Sequence, residues 1–153
     1  MSDATPFFYD DDPDAPGWKR WELRDPTRYN AFLGPLRIRL EGEGVARVRM
    51  MPERRHTNLS DNVHGGALLG FIDVALFAAA RGFGLVSVGT AVTLDLSTQF
   101  IGSGDPSRPL DAVVELLRET RRLMFLRGTV VQDDDLVASF AATLRKFDPP
   151  AAA

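Results

Sequence analysis

The chain has no cysteine, and that one absence removes disulfides, thiolate metal ligands and cysteine nucleophiles together. Histidine is nearly as scarce. His56 and His64 are the only two, and neither the H-x-x-x-H nor the H-E-x-x-H spacing of a zinc site is present, so no metal is expected. No G-x-S-x-G elbow and no phosphate-cradling P-loop occurs. Neither sign of charge dominates: the formal net charge is −3 and the pI is near 5.4, which argues against a nucleic-acid partner held by a global field. The first residues are acidic and polar, so no secretory signal is expected. The longest apolar stretch, residues 67–80, is short for a membrane span and carries a carboxylate. A cytoplasmic protein with no membrane partner is expected.

What is present is an ordinary globular composition, 44% apolar and 25% charged over 153 residues, enough for one domain with a real core. Residues 1–20 hold Asp10, Asp11, Asp12 and Asp14 among Pro and Gly and read as a flexible acidic arm. The folded domain is expected over 21–148, with a tail at 149–153. Asp25-Pro26 should cap a short helix over Thr27–Leu33, which Gly34-Pro35 ends. Apolar and polar residues alternate over Leu36–Leu40 and Ala46–Met50, and again over Val92–Phe100, Leu110–Glu119, Leu123–Gln132 and Leu136–Lys146. Period two marks half-exposed antiparallel strands. In the third of these, Val92, Leu94, Leu96, Thr98 and Phe100 should face one way, with Thr93, Asp95, Ser97 and Gln99 opposite. The order is two strands, one long helix and four strands. That is an α+β architecture with an antiparallel sheet curled over one helix, not a doubly wound one.

The helix is the unusual part. Gly65-Gly66 lead into Ala67–Ala80, rich in Ala, Leu and Phe, apolar on every face and so buried all round. Its one charge is Asp73. Buried carboxylates are rare unless paired or used, so Asp73 is either salt-bridged, hydrogen-bonded to a loop, or chemical. The glycine pair has two readings as well. It could simply allow a tight turn, or it could let a ligand reach the unpaired N–H groups at the helix start, where an oxyanion of acyl transfer would be stabilised. Gly65 and Asp73 are eight residues apart, roughly 12 Å along a helix axis. One reacting carbonyl cannot meet both in one subunit, so a shared site implies two copies of the chain.

These residues form a recognisable string: His56-Thr57-Asn58, five residues to His64-Gly65-Gly66, Asp73 on the following helix, and Thr-x-Asp-Leu at Thr93–Leu96. Over roughly residues 27–147 this resembles the hotdog-fold acyl-CoA thioesterases, most closely the phenylacetate-pathway (PaaI-like) group. The resemblance implies a hotdog fold, with the antiparallel sheet wrapped around one long central helix. It implies hydrolysis of an acyl- or aryl-CoA thioester to the free acid and CoA, with no cofactor beyond the CoA of the substrate. It implies a homodimer, assembled as a dimer of dimers, with loop residues and carboxylate from opposite subunits. Asp73 matches the general base or nucleophile, and Gly65 the glycine whose N–H polarises the carbonyl. Asn58 matches an asparagine that places the water or thioester. Thr93 stands where some members carry a serine near the carboxylate, and His64 matches a motif histidine. The acyl group is expected beside Gly66, Leu69 and Phe77, and the CoA phosphates near Arg121 and Arg122. The sequence departs from the group at Asp61 and Asn62, where small or apolar residues are expected, and in the tryptophans of its N-terminal segment. The rival readings are a hotdog enoyl-thioester hydratase or dehydratase, with His64 moving a second proton, and a non-catalytic acyl-CoA- or fatty-acid-binding protein.

Overall fold

The structure is a computed structural model that describes residues 5–86 and 91–147. The chain runs through β1 (Phe7–Phe8), β2 (Lys19–Leu23), α1 (Asn30–Leu33), β3 (Leu36–Gly42) and β4 (Val45–Met50). It continues through α2 (Gly65–Gly82), β5 (Ala91–Phe100), β6 (Leu110–Glu119), β7 (Leu123–Gln132) and β8 (Asp135–Lys146). The eight strands form one sheet in the order β1-β2-β3-β4-β6-β7-β8-β5, with antiparallel neighbours throughout. α2 packs on β3 and β4 near one end of that order and on β5 at the other, so the sheet bends round the helix. This is the hotdog architecture expected from the alternating strands and the single apolar helix.

α2 is longer than expected, 18 residues against the fourteen of Ala67–Ala80. By length and composition alone it is long and apolar enough to cross a membrane, but here it is the core of the sheet. Phe71, Ile72, Ala75, Leu76, Ala78, Ala79 and Ala80 are fully buried. The expectation of burial on every face needs correcting. Gly66, Leu69, Gly70, Asp73, Phe77 and Arg81 form a partly open stripe at helical spacing. Periodicity could not show it, because Leu69 and Phe77 are as apolar as the residues that face the core.

A β-bulge corrects a second expectation. Thr93 pairs with Leu144 and Asp95 with Thr143, so Leu94 is an extra residue in β5. One inserted residue reverses the alternation beyond it. Thr93 is therefore partly buried on the same face as Leu96 and Thr98, while Val92, Leu94 and Phe100 are exposed.

Residues 5–20 are not a free arm. Two strands that the sequence left unassigned, β1 and β2, extend the sheet, and the three consecutive aspartates each meet a cation. Asp10 accepts two hydrogen bonds from Arg20 (3.0 and 2.7 Å), Asp11 pairs with Lys19 (2.9 Å) and Asp12 with Arg37 (2.7 Å). Exposed pairs contribute little each. The stronger anchor is Trp21, which is buried with Phe7 stacked on it at 4.4 Å between ring centroids. Trp18 is also buried, under the guanidinium groups of Arg39 and Arg49. The Arg37 guanidinium and then the Asp14 N–H hold the Asp12 carboxyl below its ordinary 3.8. A lowered carboxyl pKa adds stability above its unfolded value, lost as pH falls through the folded one. Asp12→Asn is thus expected to lower the melting temperature at pH 7, and the gap from wild type should close below about pH 3.8. Melts at the two pH values check it.

α1 is also shorter than expected. The Asp25 carboxylate accepts from the Thr27 N–H (3.0 Å) and hydroxyl (2.6 Å), making a turn in place of a cap, so the helix starts only at Asn30. Residues 1–4, 148 and the tail at 149–153 lie outside the described residues.

Candidate active site

The N-terminus of α2 is built from a loop that satisfies its own backbone. His56 is fully buried; its Nδ1 accepts the Glu53 N–H (2.9 Å), which leaves Nε2 to donate to the Phe32 carbonyl (2.6 Å). Its own carbonyl accepts the His64 N–H at 2.7 Å. This histidine ties α1 to the loop that launches α2. The side-chain oxygen of Asn58 accepts the N–H groups of Ser60 (2.9 Å) and Asn62 (3.2 Å), closing the loop. Its amide nitrogen is thereby left to donate outward, where Asn58 and His64 share an open recess. Asp61 sits at φ 57°, which explains why a small residue is expected there: the left-handed region favours glycine and tolerates aspartate.

His64 is the N-cap of α2, with its Nδ1 accepting the Gly66 N–H at 2.8 Å. Gly66, expected beside the acyl group, takes part in this cap. Its N–H is engaged, and a Cβ there would lie 3.1 Å from the His64 Nδ1, so Gly66 makes room for the cap. The Gly65 N–H has no acceptor among the described residues, as the first turn of a helix requires. A Cβ at Gly65 would only touch the Phe100 ring at an ordinary 3.6 Å, so packing within the chain does not demand glycine there.

Asp73 lies two turns further on. Among the described residues no cation pairs with it, and its hydrogen bond comes from a strand: the Thr93 hydroxyl donates to Oδ1 at 2.6 Å. The bulge at Leu94 makes this contact possible by turning Thr93 inward. Asp73 also borders a cavity of about 250 Å³. Phe77 lines it as expected, but Leu69 does not; it is exposed on the open stripe. Arg121 and Arg122 are exposed in the β6–β7 turn. The row Thr93–Leu144–Met124 places that turn at the Thr93 end of the sheet, two strands and roughly 10 Å away.

Within one chain, then, the expected residues fall into two groups. Asn58, His64 and Gly65 gather at the helix start; Asp73 and Phe77 line the cavity, with Thr93 bonded to Asp73. Sequence reasoning missed the far wall of that cavity, made by Phe7, Trp21, Tyr29 and Asn30, and Arg81 at its end. One signal was available. Gly70 stands in the middle of a helix, and a Cβ on it would fall 2.0 Å from the Tyr29 hydroxyl. A mid-helix glycine marks a close approach.

Among curated proteins none matches the chain. Solved structures do. A conserved protein from Pseudomonas aeruginosa is 28% identical with a TM-score of 0.66, over 79% of this chain and 94% of that one. A mutant of the phenylacetic acid degradation protein PaaI from Thermus thermophilus is 26% identical with a TM-score of 0.64, over 80% of this chain and all of that one (100%). The Escherichia coli PaaI protein, from the phenylacetic acid degradation operon, is 23% identical with a TM-score of 0.64, over 76% and 81%. At that identity it shows the shared fold alone. The family model of the thioesterase superfamily matches residues 61–139, more than half of the chain, and its span holds both the glycine start of α2 and the Asp73–Thr93 pair. The chain belongs to the thioesterase superfamily.

Proposed function

We propose that the protein hydrolyses an acyl- or aryl-CoA thioester to the free acid and CoA, at a site completed by a second copy of the chain. The observation that carries this reading is the Asp73–Thr93 pair on a cavity wall. The threonine hydroxyl engages Oδ1, which leaves Oδ2 as the oxygen to act on a water. Asp73 takes a proton from that water as its oxygen bonds to the thioester carbon. The Gly65 N–H of the second copy holds the developing oxyanion. Collapse breaks the C–S bond, and the leaving thiolate takes up the proton. The two half-sites lie roughly 12 Å apart on one helix, so one copy alone cannot bring them to a common carbonyl.

β5 supports the assembly. It is an edge strand, ten residues long, with Val92, Leu94 and Phe100 exposed. Such an edge is a template for pairing with another chain, which supports reading the assembly as a homodimer across β5, doubled into a dimer of dimers. The expected setting is cytoplasmic, and the exposed Arg121 and Arg122 are our candidates to meet the CoA phosphates. Their double replacement by serine should raise KM for a CoA thioester with kcat little changed. It should leave a phosphate-free pantetheine thioester unaffected, and added salt should mimic it. Steady-state kinetics on the two substrates check this.

Thr93→Val keeps the shape and removes the donor. A roughly tenfold or greater fall in kcat is expected from losing a hydrogen bond to a charged group. Thr93→Ser should restore most of it, and kcat measured over a pH series separates lost positioning from misfolding. The deciding experiment for the reaction is thiol release over a panel of acyl-CoAs. Release with Asp73 present and none with Asp73→Asn supports hydrolysis. Ligand binding without release from any thioester would replace this reading by the binding-protein one. The hydratase reading fits less well, since the His64 Nδ1 is engaged in capping the Gly66 N–H.

A further inference from the structure

The open stripe of α2 carries one more ionisable side chain beyond Asp73. Arg81 lies eight residues on, roughly 12 Å along the axis, and lines the same cavity at its other end. Between the two are Phe77 on the helix and Phe7, Trp21 and Tyr29 opposite. One feature sets this apart from an ordinary apolar pocket, and it is Arg81 itself. No carboxylate pairs with it among the described residues, and its guanidinium rests on ring faces, 4.9 Å from the Tyr9 centroid and 5.9 Å from that of Trp21. The Trp21 indole N–H also has no hydrogen-bond partner, but it is sealed from solvent and cavity alike and offers nothing to a ligand. The guanidinium is the cation on the lining of this cavity, eight residues along α2 from the expected chemistry. An alkyl tail leaves it unpaired, whereas a carboxylate suits it.

We propose that the acyl group taken by this cavity ends in a carboxylate, so that the substrate class is the mono-CoA thioester of a short dicarboxylic acid, with Arg81 the residue that sets specificity. This rests on the thioesterase reading above. The size agrees. About 250 Å³ lies below the roughly 300–1,000 Å³ of drug-sized pockets and suits a short chain over a long fatty one. The remote carboxylate takes no part in the hydrolysis; it anchors the chain so that the thioester carbon stops at Asp73.

The test compares adipyl-CoA with hexanoyl-CoA, equal in chain length and differing in the terminal carboxylate. Wild type is expected to favour the adipyl thioester in kcat/KM by roughly ten- to a hundredfold, the worth of a charge-assisted hydrogen bond. Arg81→Gln should collapse that ratio, chiefly through KM for adipyl-CoA, and Arg81→Lys should keep part of it. An Arg81 that only props up the aromatic wall would lower both substrates together, and that result overturns the proposal. So does a wild type that prefers hexanoyl-CoA. If wild type cleaves neither, the proposal is read without turnover. The same ratio is then read from the Kd values of two non-hydrolysable CoA thioethers, one ω-carboxyalkyl and one alkyl of equal length. Tighter binding of the first that depends on Arg81 sustains the proposal, and equal Kd values overturn it.

Discussion

Asp73→Asn is expected to cut thiol release from an accepted acyl-CoA by at least about two orders of magnitude, the lower end of what a positioned general base contributes. The replacement is nearly isosteric, and the amide oxygen can still accept from the Thr93 hydroxyl, now 2.6 Å from Oδ1. Asp73 makes no ion pair among the described residues and is only partly buried, so no charged partner there is orphaned by the change. The melting temperature should therefore stay close to that of wild type. The measurement is kcat/KM by thiol release beside a thermal melt on the same preparation. A folded variant with undiminished turnover would remove Asp73 from the mechanism and leave the cavity as a binding site. Loss of both activity and fold is not expected; it would mean that the carboxylate holds α2 in place, a role better tested at Thr93.

The second large effect falls on stability. Phe71 is fully buried on α2, between Gly70 and Ile72, and belongs to the core under the sheet. Phe71→Ala should cost about 3–5 kcal/mol, from lost transfer energy and from the cavity it leaves. Native domains hold only about 5–15 kcal/mol in total, so the variant should be marginal or unfolded at physiological temperature. Urea unfolding at fixed protein concentration measures it, since association would add a concentration-dependent term. A loss under about 1 kcal/mol would show that the core closes over the gap, which a helix packed against both ends of one sheet has little freedom to do. The link to function is direct. Gly65 and Asp73 are held at their spacing by this helix, and Phe71 is one of its anchors.

The strands from Leu36 onward were legible because each alternates over a useful length, and the central helix because its apolar run is rich in helix formers and too long for a strand. β1 and β2 were not. Phe7–Phe8 is too short to show a period, and Lys-Arg-Trp-Glu-Leu in β2 buries only Trp21. The aspartates at 10–12 suggested a solvated arm, because composition counts charges and cannot see that Arg20, Lys19 and Arg37 lie opposite them. For the candidate site, Asp73 was legible as the lone charge in an apolar helix, and Gly65 as a glycine at a helix start. Thr93 was named from the family pattern, while the alternation of β5 put it on the wrong face. The bulge that turns it inward adds a residue without leaving a mark in the hydrophobic pattern.

By itself the sequence determined the fold class, the membership of one long helix in an antiparallel sheet, and the presence of two chemical groups eight residues apart on that helix. Those are local properties: period, composition and spacing along one segment. The tertiary structure alone decided what surrounds them. It joined Asp73 to Thr93, engaged the Gly66 N–H with His64, opened one stripe of α2, and set Trp21, Tyr29 and Arg81 around a cavity beside the carboxylate. Those contacts bring together segments from residue 7 to residue 93, and nothing in a local pattern encodes which distant segments meet.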